Sequence, residues 1–125
     1  MRDLEAADVA VLKVQPLGGV RACLRIAEDI GLPVVVSSAL ETSIGIAAGV
    51  ALAAALPELP YACGLATVQL LASDVVDASL LPVGGALPVR LPVVDESLVH
   101  AEPDRVAHWE ARLAEVRALR QDRSS

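Results

Sequence analysis

Lys13 lies near the end of a short apolar run, residues 9–15 (VAVLKVQ). Strand side chains alternate between two faces, so Lys13 would share a face with Val11 and Gln15. If both faces of this strand are buried, the ammonium group is costly to bury without a partner, and burial lowers the pKa of a lysine. Such a lysine can act as a general acid or base near neutral pH. The alternative is a side chain that extends out of the strand end to water.

Three further candidate residues lie in or at the end of the next two apolar runs, and two of them, the serines, are at a level equivalent to Lys13. Ser37 and Ser38 end the second run, where hydroxyls could donate hydrogen bonds to a substrate carboxylate or simply begin a loop. Gly64 interrupts the third run, which is typical either of close approach by a ligand or of a bend. Glu41, on the loop after the serines, either stabilises the start of the next helix or faces the site.

The elements that would position these residues alternate between strands and helices. Short apolar runs predict strands at residues 9–15, 32–37 and 61–65, and the first of them, which is β-branched and almost continuously apolar, suits a strand buried on both faces. Helical spacing predicts helices at residues 20–30 and 43–56. This order indicates parallel strands joined by crossover helices, as in an open α/β sheet or a piece of a (β/α) barrel. Both folds place their active sites at the carboxyl ends of the strands.

Composition excludes several classes of function. The 125 residues are 54% hydrophobic with a net charge of -6, which argues against a disordered chain and against a nucleic-acid partner. Residues 1–5 are charged, and the apolar stretch 44–56 is too short to span a bilayer, so we expect a cytoplasmic protein without membrane contact. Cys23 and Cys63 are predicted to be buried free thiols. No Cys, His or Asp cluster has metal-ligand spacing.

The sequence changes character after residue 81, which suggests two parts, residues 1–81 and 82–125. Residues 82–92 predict a hairpin that turns at Gly84-Gly85. A helix is predicted from Pro103, with Trp109 as its packing anchor and an apolar stripe facing the rest of the protein. His100 and His108 are expected on the solvated surface.

Three segments together resemble a known family: residues 8–22 (DVAVLKVQPLGGVRA), 32–45 (LPVVVSSALETSIG) and 61–67 (YACGLAT). They are similar to the C-terminal part of the o-succinylbenzoate synthase family, within the enolase superfamily. The resemblance implies the last three units of a (β/α) barrel, followed by a hairpin and a helix. It also implies a lyase of menaquinone biosynthesis that dehydrates 2-succinyl-6-hydroxy-2,4-cyclohexadiene-1-carboxylate to o-succinylbenzoate with the help of Mg²⁺.

The same resemblance implies a role for each candidate residue. Lys13 matches the sixth-strand lysine, which in this family stabilises the reaction intermediate as a cation opposite the base. Ser37 and Ser38 match the seventh-strand end, which contacts the succinyl arm of the substrate. Gly64 matches the eighth-strand end, which lines the pocket.

The sequence also departs from the family pattern. The family's Lys-x-Lys base motif and its three acidic metal ligands have no counterpart here, so we expect the chain alone to be inactive. Its expected partner is then the N-terminal part of the barrel. Two alternatives remain: a part of an N-acylamino acid racemase or dipeptide epimerase, and a non-catalytic βα module that binds a partner chain. Racemising relatives tend to carry Gly-Gly-Met where this sequence has Ser37-Ser38-Ala39, which favours the synthase.

Overall fold

The structure, a computed structural model, describes residues 6–122. Residues 1–5, whose charge supports the expectation of a cytoplasmic protein, lie outside the described residues. The helices and strands are β1 (Ala10–Leu12), α1 (Val20–Ile30), β2 (Val34–Val36), α2 (Ser43–Ala55) and α3 (Pro103–Asp122). Short 3₁₀ turns cover Thr67–Leu70 and Glu96–Leu98.

Strands β1 and β2 pair in parallel, and α1 connects them. The register sets Ala10 beside Val34 and Leu12 beside Val36. Helix α1 has the predicted bounds, and Gly31 ends it in the left-handed conformation (φ 63°) with its N–H bonded to the Ala27 carbonyl. The architecture is α/β and consistent with a partial barrel, as predicted.

The core lies between one face of this sheet and the two helices that pack on it. It is aliphatic, and its strand residues are those that alternation points toward α1 and α2. The core cluster includes Leu12, Val14, Cys23, Val34, Val36, Ile46, Val50 and Leu52, with Leu65, Val68 and Leu80 from the chain after α2. Burial raises the pKa of the Cys23 thiol, because a thiolate would be desolvated there. Cys63 is also a free thiol but only half-buried, so the prediction of burial is confirmed fully for Cys23 alone.

The opposite face of the sheet is open, which corrects the prediction of a first strand buried on both sides. Val11 is 59% exposed, and Lys13 on the same face is half-buried. The run of β-branched residues predicted the strand correctly, but no element within residues 6–122 covers this side. The strand is also shorter than predicted, because the chain turns after Leu12 and the Gly19 N–H bonds the Val14 carbonyl at 2.9 Å.

The predicted third strand is reduced to one parallel bridge between Ser37 and Gly64. The Gly64 N–H donates to the Val36 carbonyl and the Ser38 N–H donates to the Gly64 carbonyl, both at 2.9 Å. Because Tyr61 and Ala62 are exposed, no buried face favours longer pairing. The third segment therefore pairs with β2 only briefly, but its hydrogen bonds fix Gly64 at the carboxyl end of β2.

Helix α2 is held at its first turn by a carboxylate from far along the chain. The Thr42 side chain makes no capping bond. Instead, Asp74 Oδ1 accepts the Ser43 N–H at 3.1 Å, and Asp74 Oδ2 accepts the hydroxyls of Ser43 and Ser79. Burial alone would raise the pKa of Asp74, but the hydrogen bonds from Ser43, Ser79 and the Val75 N–H outweigh it and lower the pKa.

The C-terminal part forms the predicted turn and contacts the preceding chain through an antiparallel bridge between Val76 and Val94. Val83 and Ala86 bridge across Gly84 and Gly85, whose positive φ angles of 58° and 82° suit a two-residue hairpin turn. Trp109 does not anchor α3 as predicted, because its side chain is 56% exposed and its ring packs edge-on against His108. In the part of the chain that the structure describes, no helix has both the length and the apolar character that crossing a bilayer requires.

The open sheet face predicts that the 125-residue chain associates with itself. Uncovered apolar side chains beside an unpaired strand edge favour intermolecular contact. Sedimentation velocity should show oligomers of the parent chain and fewer of them in Val11→Ser. Val83→Ser is the matched control, because Val83 is 79% exposed in the hairpin, away from the sheet. A strictly monomeric parent would contradict this expectation.

Removal of the Asp74 carboxylate should destabilise the fold. Asp74→Ala leaves the Ser43 N–H and hydroxyl donors unpaired at a fully buried residue, at an expected cost of about 1–3 kcal/mol in unfolding free energy. Asp77→Ala, at an exposed aspartate three positions along, is the control and should cost much less. Urea unfolding followed by far-ultraviolet circular dichroism measures both.

The same contact predicts a pH dependence. Because folding lowers the Asp74 pKa, its contribution to stability is present above the pKa of the unfolded chain and is lost as pH falls through the folded value. The stability difference between parent and Asp74→Ala should therefore shrink as the pH is lowered from about 6 to about 3. A difference that stays constant over this range would show that the ionised carboxylate is not what stabilises α2.

Candidate active site

The carboxyl ends of β1 and β2 and the bridge at Gly64 bring the predicted site residues together. Lys13 is the first residue after β1, and Ser37 and Ser38 are the first two after β2. Lys13 Nζ donates to Ser37 Oγ at 3.3 Å and also to the Ser38 carbonyl oxygen. Lys13 is also the only lysine in the sequence, so this is the one primary side-chain amine of the molecule.

The strand register explains why these groups meet. Leu12 is aligned with Val36, and the Ser37 N–H donates to the Leu12 carbonyl at 2.9 Å. Lys13 and Ser37, the residues that follow, therefore lie side by side. Alternation points both side chains to the open face. The ammonium group is half-buried and held by two oxygen acceptors, rather than enclosed among aliphatic groups as a doubly buried strand would require.

The two serines have different surroundings. Ser37 is half-buried, and its hydroxyl lies on the face of Lys13. Ser38 is only 5% exposed. Its hydroxyl donates to the Gly64 carbonyl at 3.0 Å and contacts Thr67 Oγ1 at 2.9 Å. Ser38 thus presents its main-chain carbonyl to Lys13, whereas its hydroxyl braces the neighbouring bridge.

Gly64 leaves room for the Ser37 side chain. A Cβ atom added at Gly64 would lie 3.3 Å from Ser37 Oγ and 3.7 Å from Ser37 Cβ. The backbone of Gly64 is not in the left-handed region, so the requirement is for space. A larger residue would crowd the Ser37 hydroxyl.

A second set of polar residues surrounds this centre. Glu41 Oε1 accepts the Ala39 N–H at 2.9 Å, and Glu41 Oε2 accepts the Gln15 side-chain amide at 3.0 Å. Thr67 Oγ1 donates to the Ala39 carbonyl at 2.7 Å. Strand alternation placed Gln15 on the face of Lys13, but no sequence signal indicated Thr67, because its contact depends on how the chain returns after Gly64.

The described residues include no cluster of metal-ligating side chains. Between residues 6 and 122, no three His, Cys, Asp or Glu side chains lie close enough together to hold one. Asp74, the most thoroughly bonded carboxylate, is occupied by four donors at the start of α2. These residues therefore do not fit a metal centre.

Comparison with known proteins gives a consistent result. The family model of enolase C-terminal domain-like proteins matches residues 1–92. The chain is 70% identical over 119 residues to the o-succinylbenzoate synthase of Thermobifida fusca (strain YX), covering 94% of this chain and 37% of that relative. It is 52% identical over 111 residues to the o-succinylbenzoate synthase of Mycobacterium marinum (strain ATCC BAA-535 / M), covering 86% of this chain and 34% of that relative. The chain spans about a third of the length of the curated relatives it matches.

The different surroundings of the two serines predict different costs of their removal. Ser38→Ala removes the hydroxyl contacts to the Gly64 carbonyl and to Thr67 Oγ1 at a residue that is only 5% exposed, so it should lower the unfolding free energy by about 1–3 kcal/mol. Ser37→Ala removes only long bonds at a half-buried position and should cost less than about 1 kcal/mol. Urea unfolding compares the two, and equal costs would contradict the assignment of Ser38 as the brace.

Proposed function

This chain belongs to the enolase C-terminal domain-like family, and we propose that it works as the C-terminal part of an o-succinylbenzoate synthase. The observation that carries the proposal is the Lys13 ammonium group, fixed at the carboxyl end of β1 beside Ser37 and facing the open side of the sheet. The 70% and 52% identities to proteins of that name support it.

The proposed reaction removes water from 2-succinyl-6-hydroxy-2,4-cyclohexadiene-1-carboxylate. A base takes the proton α to the carboxylate, and the electron pair of that C–H bond delocalises into the carboxylate. The hydroxyl group on the adjacent ring carbon then leaves as hydroxide, and the ring becomes aromatic. Between these two steps the carboxylate carries additional negative charge, which a nearby cation stabilises.

We assign Lys13 the role of that cation. An ammonium group has three N–H donors, and the Ser37 hydroxyl and Ser38 carbonyl take two of them. The remaining donor is then free to face a bound carboxylate on the open side of the sheet. A cation in this position suits electrostatic stabilisation of the developing negative charge.

Ser37 and Gly64 would form the adjoining wall of the pocket. The Ser37 hydroxyl lies beside Lys13, and Gly64, which has no side chain, leaves the space that this hydroxyl occupies. Because the Ser38 hydroxyl is buried and bonded, we propose that Ser38 contributes to the site through its carbonyl rather than through direct contact with the succinyl arm.

Family membership implies a divalent metal, and we propose Mg²⁺, which would stabilise charge on the substrate carboxylate. The described residues supply no cluster to hold it. The proposed partner of this chain is accordingly the remainder of the barrel, and the proposed location is the cytoplasm.

The test is a hybrid enzyme in which this chain replaces the matching 37% of the Thermobifida fusca relative. We expect it to form o-succinylbenzoate, measured by absorbance, and Lys13→Ala to lower kcat by about 10²–10³-fold. Lys13→Arg keeps the charge and should retain more activity than Lys13→Ala. Arg25→Ala, at an exposed position of α1, is the control for loss of a cation elsewhere.

Three outcomes would contradict the proposal. A folded hybrid without o-succinylbenzoate formation would favour a non-catalytic module. Faster turnover of N-acylamino acids would favour a racemase. A Lys13→Ala variant with unchanged kcat would remove Lys13 from the mechanism.

A further inference from the structure

One peptide group lies between a cation and an anion at the carboxyl end of β2. The carbonyl of the Ser38–Ala39 peptide accepts a hydrogen bond from Lys13 Nζ. The N–H of the same peptide donates to Glu41 Oε1 at 2.9 Å. The ammonium and carboxylate groups therefore interact through a single planar unit, without a direct ion pair.

The orientation of this peptide is favourable to both charges. A peptide unit carries a dipole of about 3.5 D, negative at the carbonyl oxygen and positive at the N–H. Here the negative end faces the ammonium of Lys13 and the positive end faces the carboxylate of Glu41. Because the peptide is planar, fixing its N–H also fixes the direction of its carbonyl. Glu41 can thus stabilise and orient the Lys13 ammonium although the two side chains do not touch.

Two neighbours hold Glu41 in this position. The Gln15 side-chain amide donates to Glu41 Oε2 at 3.0 Å and to the Gly45 carbonyl at 3.2 Å. A Cβ atom added at Gly45 would lie 2.9 Å from Glu41 Cβ and 3.1 Å from Glu41 Oε2. A glycine at position 45 therefore leaves the space that the carboxylate occupies, and Gln15 ties it to the strand end that carries Lys13.

We propose that Glu41 is a positioning residue, which acts on Lys13 through the Ser38–Ala39 peptide group and holds the ammonium directed along the open face of the sheet. The importance of this arrangement for turnover rests on the proposed function, but the coupling itself does not. A role limited to stabilising the start of α2 would instead predict an effect on folding alone.

The test uses acylation, because only the neutral form of an amine reacts and Lys13 is the only lysine. The 125-residue chain is treated with an acetylating reagent at fixed pH, and the modification of Lys13 is followed by peptide mass spectrometry relative to the N-terminal amine. Glu41→Gln removes the charge while keeping the shape, and should raise the Lys13 rate about threefold. Glu28→Gln, on the exposed side of α1, is the matched control and should change nothing.

Two further variants separate positioning from stability. Gly45→Ala keeps the carboxylate but displaces it, and should raise the Lys13 rate even though alanine favours the helix. Glu41→Asp keeps the charge on a shorter side chain. It should reverse at least half of the increase in the Lys13 acetylation rate that is expected in Glu41→Gln.

The proposal is overturned if Lys13 in Glu41→Gln reacts at the parent rate, or if Gly45→Ala leaves the rate unchanged. It is equally overturned if the rates follow the urea midpoints of the variants rather than the charge at position 41. None of these measurements requires turnover, so failure of the proposed enzymatic function would be recognised separately in the hybrid enzyme.

Discussion

The parallel register of β1 and β2 is the constraint on which the site depends. It aligns Leu12 with Val36, so Lys13 and Ser37, the residues that come directly after the two strands, lie at the same edge of the sheet. A slip of one residue would exchange the two faces of a strand, turning Lys13 toward the aliphatic core and Val14 toward the open side. The buried side chains of Leu12, Val14, Val34 and Val36 therefore specify the position of the ammonium group as much as they specify the core.

The two faces of the sheet have different tasks. The helix-covered face supplies hydrophobic stabilisation, and the start of α2 is fixed there by Asp74 through the fully buried Ser43. The open face carries Lys13 and Ser37 and contributes little burial. Polar contacts from Gln15, Glu41 and Thr67 lie along the boundary between the faces, where they fix the loop after β2 relative to both strands. Lys13 and Ser37 are thus positioned by a network of polar contacts that is attached to the core but not buried in it.

Local spacing predicted much of this arrangement. The helical stripe and Gly31 predicted α1 with its observed bounds, and the ends of the apolar runs placed Lys13 and Ser37 at one level. The assignment to a family came from motif resemblance, which spacing alone does not provide.

What could not be predicted depends on contacts between residues far apart in the chain. Asp74 lies 31 positions from Ser43, and no local pattern marks it as the partner that holds the start of α2. The space at Gly45 is needed only because Glu41 folds back over it. The third strand and the burial of Trp109 were over-predicted, since a short apolar run or an apolar stripe indicates a face suited to burial without showing that something covers it.

The near absence of aromatic residues has a practical consequence for spectroscopy. The sequence contains one Trp, one Tyr and no Phe. Trp109 is 56% exposed on α3 and Tyr61 is 52% exposed before Gly64, so neither chromophore lies in the core. Intrinsic fluorescence would change little when the aliphatic core unfolds. It would respond mainly to a molecule that binds at α3. The fluorescence emission of this chain therefore reports on contacts at its surface and hardly on the folding of its core.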